Sequence, residues 1–305
     1  GGSQWETFEY DQVVPWIDQN FPTLADRDHR AIAGLSQGGY GAMHGAALHP
    51  DEFASVASFS GAPEIYRDPV VRVGADAVIE AITVVLDHLK PFTILGDPVT
   101  NAAHWQGHDP GTLVENLRGM NINLWTATGL PGDLDSPEDQ YGGIYGNVIE
   151  GATHLSTLAF HSHLLQAGIP SHFDNYVFGT HNFPYWARDF REYLPILMNR
   201  FAHPSTPTAI TYSSSAKAYA QWDWGVAVHR SVAERLTTLK AASRTGFSFV
   251  GSDSATVVTP PLYAPGTTKH VSVSAAGRTR TYVIAVEPSG RLTVQVPGTS
   301  RVTIY

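Results

Sequence analysis

The chain has 305 residues, 43% of them hydrophobic and only 15% charged, with a formal net charge of -9 and no cysteine. That length allows one large domain or two smaller ones with a sizeable core, and a charged fraction so far below the roughly 25% of an ordinary soluble domain excludes a charge-swollen, disordered chain. The acidic balance argues against nucleic acid as a partner, and the missing cysteines exclude disulfides, thiolate metal centres and a cysteine nucleophile.

No apolar run reaches the ~18 residues that a membrane helix needs, so no membrane span is expected. The opening Gly1-Gly2-Ser3-Gln4-Trp5 lacks the basic and apolar regions of a secretory leader. Tyr10 to Phe21 sets Val13, Val14, Ile17 and Phe21 on one helical face. Arg30 to Leu35 is a short apolar run of the kind a buried parallel strand shows, and Gly38 to Leu48 a small-residue helix closed by His49-Pro50. Phe53 to Phe59 and Ile122 to Thr128 read as strands, and Asn147 to Ala167 as a long helix stopped by Gly168. Phe173 to Phe178 is the next strand and Phe183 to Phe201 a last amphipathic helix. This alternation predicts an α/β domain with a mostly parallel sheet over residues 1–202. The irregular excursion from Ala62 to Met120, with a helical pattern over Asp76 to Leu89, suits either a packed insertion or a cap over a pocket.

Composition changes after Phe201. His203-Pro204-Ser205-Thr206-Pro207-Thr208 reads as a linker, and residues 208–305 as a small β-rich domain. Within it Val226 to Ala242 is expected to be helical, and Thr281 to Val286 with Arg291 to Val296 to form a hairpin around Glu287-Pro288-Ser289-Gly290.

Gly34-Leu35-Ser36-Gln37-Gly38 is G-x-S-x-G, with an apolar run before it and a small-residue helix after. A serine hydroxyl is a poor nucleophile, so it must stand clear of its own secondary structure beside a base. A tight strand-to-helix turn provides that, and places the Gln37 N–H at a helix N-terminus where an oxyanion would develop. A histidine late in the chain should complete the site. His181, in Gly179-Thr180-His181 directly after a strand, would share the C-terminal sheet edge with Ser36. His44 falls on a helix, His161 and His163 are wrongly spaced to hold a metal together, and no H-E-x-x-H occurs, so neither metal nor cofactor is expected. Asp133, Asp135 and Glu150 are the candidate acids that would accept the Nδ1 proton of His181, and residue chemistry alone does not choose among them.

Taken together, Trp5-Glu6-Thr7-Phe8, Val14-Pro15-Trp16-Ile17, Gly34-Leu35-Ser36-Gln37-Gly38-Gly39, His49-Pro50, Ser60-Gly61, Gly179-Thr180-His181 and Tyr185-Trp186 resemble the esterase D / mycolyltransferase (antigen 85) group of α/β-hydrolases. The resemblance covers about residues 4–200. It implies Ser36 as nucleophile and His181 as base, in a serine carboxylic-ester hydrolase or acyltransferase working through an acyl-enzyme. The mycolyltransferase branch implies Glu150 as the acid; the esterase D branch favours Asp133 or Asp135, and Glu150 is the choice here. Mycolyltransferases carry tryptophan two positions after the histidine, where this chain has Phe183.

Members of the group have a longer segment before the nucleophile than the 35 residues present here. The sheet is therefore expected to lack its N-terminal strands and the loop giving the second oxyanion N–H, with a separate polypeptide or a lost segment completing it. Resemblance to secreted actinobacterial members implies an extracellular location. The rival reading is a non-catalytic cell-wall or carbohydrate binding protein on the same scaffold, using Trp222 and Trp224 of the β-rich tail.

Overall fold

The computed structural model describes residues 5–136, 144–231 and 234–305. Gly1–Gln4, read above for a leader, lie outside them. The chain divides into two compact units, one running to Asn101 and over Asp109–Ser205, the other comprising Ala102–His108 and Thr206–Tyr305.

In the first unit, a π-helical turn (Thr7–Val13) leads into α1 (Val14–Asn20), and then come β1 (Ala31–Leu35), α2 (Gln37–Leu48) and β2 (Ser55–Phe59). The excursion holds α3 (Pro69–Ala81), a π-helical turn (Ile82–Leu86) and α4 (Ala102–Gly107), the last of which belongs to the second unit. It is followed by β3 (Asn121–Leu130), α5 (Ile144–Gln166), β4 (His172–Phe178) and α6 (Phe183–Ala202). The four strands form one parallel sheet in the order β1-β2-β3-β4. Every residue of β2 is buried, as expected of an interior strand covered on both faces. Ala57, Phe59 and Trp125 pack against Trp186 and Tyr193 of α6. The fold class is thus mixed α/β with a parallel sheet, as the strand–helix alternation predicted.

Parallel strands bring all their C-terminal ends to one edge. Ser36, Ser60, the loop after Leu130 and the loop after Phe178 therefore emerge side by side, although they lie far apart in sequence. At the lateral edge of the sheet β1 pairs only with β2 among the described residues, and Ala33 and Leu35 stay exposed.

The helix expected over Asp76 to Leu89 begins earlier, at Pro69. The Asp68 carboxylate caps it by accepting from the Val70 and Val71 N–H groups, and Pro69 occupies the first turn, where no N–H is needed. No residue of α3 is buried, so it is not a core helix.

The second unit is built from β5 (Ile210–Ser214), β6 (Ala218–Gln221), β7 (Trp224–Val228), β8 (Thr237–Ser243), β9 (Gly246–Val250), β10 (Ala255–Val258), β11 (Thr268–Ala275), β12 (Arg278–Ala285), β13 (Thr293–Val296) and β14 (Ser300–Ile304), with α4 beside them in the same unit. They form two antiparallel sheets, β13-β10-β7-β6 and β12-β11-β14-β9-β8-β5. Trp224, Val226, Val257 and Val294 of one sheet and Leu239, Phe249, Val271 and Val302 of the other share one core.

Two expectations fail here. Val226 to Ala242, of which Val232 and Ala233 lie outside the described residues, is not the expected helix, because β7 and β8 occupy its two ends. Val226 and Val228 alternate inward with period two, and cross-strand pairing with β10 outweighs the weak helical pattern. The hairpin around Glu287–Gly290 does not form either. The local turn closes through Gly290 N–H to the Glu287 carbonyl, but β12 stays with β11 while β13 joins β10 in the other sheet. The true hairpin is β11–β12, turned by Ala276 and Gly277, whose φ values of 47° and 74° suit the twist of a two-residue connection.

Candidate active site

Ser36 sits between β1 and α2 with φ 54° and ψ -125°, a conformation that costs a non-glycine residue energy. Its N–H donates to the Phe59 carbonyl, which ties the turn to β2. Gln37 and Gly38 follow as the first exposed residues of α2, and the Gln37 N–H, in the first turn of the helix, has no intrahelical acceptor. The glycines are not equivalent. A Cβ on Gly34 would lie 2.0 Å from the Gly38 carbonyl oxygen, and one on Gly39 would lie 2.6 Å from Ser58 Oγ, whereas a Cβ on Gly38 meets nothing within 4 Å. Gly34→Ala is therefore expected to destabilise the protein by about 3 kcal/mol or prevent folding, since backbone itself blocks the new methyl. Gly38→Ala should fold normally. Thermal unfolding of the two variants side by side checks this.

His181 Nε2 lies 2.7 Å from Ser36 Oγ, and His181 Nδ1 lies 2.8 Å from Glu150 Oε2. Glu150 is fully buried near the start of α5. Its other oxygen accepts from the Ala127 N–H at 2.8 Å and the Ser60 hydroxyl at 2.9 Å, so the carboxylate is held by two elements besides its own helix. The Trp186 ring meets the His181 ring edge-on, centroids 4.9 Å apart, and the His181 N–H donates to the Gly146 carbonyl. Nearby, burial lowers the His154 pKa against the opposing pull of Glu150.

The two rival acids lie elsewhere. Asp133 is exposed beside a depression of about 360 Å³ lined by Pro131, Leu134, Phe178, Tyr185 and Arg188. Asp135 accepts from Thr180 Oγ1, from Tyr185 Oη at 2.7 Å and from the Gly132 N–H at 2.7 Å. Burial alone would raise its pKa, but these hydrogen bonds outweigh burial and hold the carboxyl below its ordinary value. Asp135 thus fastens the residue next to His181 rather than His181 itself. Sequence reasoning missed this clamp, and it missed the hydrogen bond of Ser60, which entered only within the Ser60-Gly61 motif of the resemblance.

A serine on a strained strand-to-helix turn of a parallel sheet, within hydrogen-bond reach of a histidine and a buried carboxylate, marks the general class of serine hydrolase folds. Residues 1–197 match the Esterase family, described as "Putative esterase", and the chain belongs to that family. Among curated relatives, Esterase Rv1288 of Mycobacterium tuberculosis (strain H37Rv) is 34% identical over 187 residues, covering 60% of this chain and 37% of that protein. The diacylglycerol acyltransferase/mycolyltransferase Ag85B of Mycolicibacterium smegmatis is 26% identical over 201 residues, covering 64% and 57%. The crystal structure of Mycobacterium tuberculosis MPT51 superposes with a TM-score of 0.49 at 24% identity, covering 65% of this chain and 68% of that one. The chain spans little more than a third of Esterase Rv1288 and under three fifths of the mycolyltransferase.

Proposed function

We propose that the protein is a serine carboxylic-ester hydrolase or acyltransferase whose triad is Ser36, His181 and Glu150. The reading rests chiefly on the unbroken series of contacts from Ser36 Oγ through the imidazole to Glu150, at 2.7 and 2.8 Å. With Nδ1–H donated to Glu150, the Nε2 lone pair faces the serine hydroxyl. Ser36 Oγ attacks the acyl carbonyl carbon as its proton passes to Nε2, and Glu150 stabilises the imidazolium. The carbonyl oxygen becomes an oxyanion held by the Gln37 N–H at the start of α2. Collapse expels the alcohol, which takes the proton from Nε2 and leaves an acyl-Ser36 ester. Water or a second alcohol, deprotonated by the same nitrogen, then releases the acyl group. Water gives hydrolysis and an alcohol gives transfer, with the same residues serving both.

Residues 1–202 would form the catalytic domain and 208–305 an accessory one. A strand from a separate N-terminal polypeptide or segment would pair with the outer edge of β1 and supply the second oxyanion N–H; an edge without a partner among the described residues, with Ala33 and Leu35 exposed, supports this. Resemblance to secreted relatives and the acidic, cysteine-free composition favour an extracellular setting. A fluorophosphonate probe tests the triad directly, because it needs only an activated serine. The chain should be labelled at Ser36 and Ser36→Ala should not be, as read by peptide mass spectrometry. A folded chain that stays unlabelled would sink the assignment in favour of a binding protein.

A further inference from the structure

Charge is sharply divided along this chain. Residues 206–305 hold ten basic and four acidic side chains, a formal +6, whereas residues 1–205 hold nine basic and 24 acidic, a formal -15. An acidic protein that concentrates cations in one unit presents a field there that net charge conceals.

Two of these cations stand on a patterned surface. In the six-stranded sheet Thr279, Ser274, Arg301, Ser248 and Lys240 are direct cross-strand neighbours on β12, β11, β14, β9 and β8. Neighbours in register project from the same face, and the alternate residues Val271, Val273, Val302, Phe247 and Phe249 are buried in the core on the other. The outward face is therefore a row of hydroxyls carrying two cations. Ser274 and Thr279 hydroxyls lie 2.8 Å apart, as do those of Ser272 and Thr281 behind them. The row borders a depression of about 560 Å³ lined by Lys240, Ser248, Ser274, Gly277 and Arg301. Lys240 and Arg301 are exposed and make no ion pair among the described residues.

Lys240 and Arg301 are separated by two interstrand steps, about 10 Å, with the Ser248 hydroxyl between them. A polymer bearing one acidic group per disaccharide presents charge at that kind of interval, with hydroxyls between. A nucleic-acid strand carries a phosphate about every 3.4 Å and is gripped by stacking aromatics, and the row contains none. The tail's tryptophans do not supply a platform either, because Trp224 is core and Trp222 packs against the core.

We propose that this face of the second unit binds an anionic glycan, its acidic groups paired to Lys240 and Arg301 and its hydroxyls hydrogen-bonded to Ser248, Ser274 and Thr279. The site is independent of Ser36 chemistry and stands or falls separately from it. The test is calorimetric titration of the full chain with a hyaluronan octasaccharide at low salt. Binding should weaken about tenfold or more in Lys240→Glu/Arg301→Glu, and by under about twofold in the charge-matched Lys217→Glu/Arg244→Glu, whose cations lie outside the row. Both variants should keep the circular dichroism and fluorophosphonate labelling of the parent. No hyaluronan binding, equal losses in the two variants, or tighter binding to oligothymidylate or phosphatidylglycerol vesicles would each overturn the proposal.

Discussion

Replacing Glu150 with glutamine should slow phosphonylation of Ser36, and turnover of a short-chain nitrophenyl ester in the complete protein, by about 10³- to 10⁴-fold. The size follows from what the buried amide must do. The Ser60 hydroxyl and the Ala127 N–H both donate to Oε1, so a glutamine at 150 keeps its oxygen there and turns its NH2 toward His181. Two N–H groups cannot face each other, so the imidazole proton moves to Nε2, the atom that has to accept from Ser36. The ring then points a donor at the nucleophile and has lost its stabilising anion. Glu150 is fully buried, so bulk solvent does not reach it to relax this. Asp133→Asn, at an exposed position, serves as the control and should change the rate by under about twofold. A Glu150→Gln protein labelled at the parental rate would refute the role given to that carboxylate.

The second large effect is on stability. Glu64 is fully buried after β2, and its pKa is pushed up to about 8, first by burial and then by the nearby Asp109 carboxylate. Asp109 is itself raised by burial, against hydrogen bonds from the Ile65, Arg67 and Thr112 N–H groups and the Thr112 hydroxyl. Tyr40 and Asp68 approach the same pair, and Glu64 Oε2 lies 3.2 Å from His163 Nε2. The loop at Gly111 closes so tightly over it that a Cβ there would fall 1.8 Å from Oε2.

A carboxyl with a raised pKa binds its proton more tightly when folded. Its stabilising contribution is complete below the ordinary value of 4.5 and is lost as pH climbs toward about 8. His163, lowered by burial and by Arg67, works in the opposite sense, losing stability only as pH falls below its ordinary 6.5. Between about pH 6.5 and 8 the Glu64 carboxyl therefore dominates, and stability should decline by about 1.4 kcal/mol per pH unit for its one proton. Glu64→Gln keeps an oxygen for the Tyr66 and Asp68 N–H groups and has nothing to ionise, so it should remove one proton's worth of that slope. Urea unfolding at several pH values measures it. Parallel pH profiles for parent and variant would show that Glu64 is ionised in the native protein throughout.

Local pattern carried much of the first unit. The short apolar runs before Ser36, Ser60 and His181 and the small-residue helix after Ser36 mark buried parallel strands and a helix pressed close to them, and period-two and period-3.6 spacing are readable without coordinates. The same logic failed at Val226 to Ala242, where partners distant in sequence overrode a weak helical pattern. It failed again at Glu287–Gly290, where a sound turn joins strands of different sheets.

Sequence alone determined which chemistry was available: a serine in G-x-S-x-G, a histidine after a late strand, no thiol, and three carboxylates in reach of the loop. Residue chemistry alone left the three equivalent, and only the tertiary structure gives them different surroundings. A carboxylate's role depends on which hydrogen bonds meet it, and those come from Ser60, Ala127 and His181 for Glu150 but from Thr180, Tyr185 and Gly132 for Asp135. The row of cations and hydroxyls on the second unit was hidden for the same reason. Its five residues are scattered over positions 240 to 301 and become neighbours only through strand register, which depends on long-range pairing and leaves no local signature.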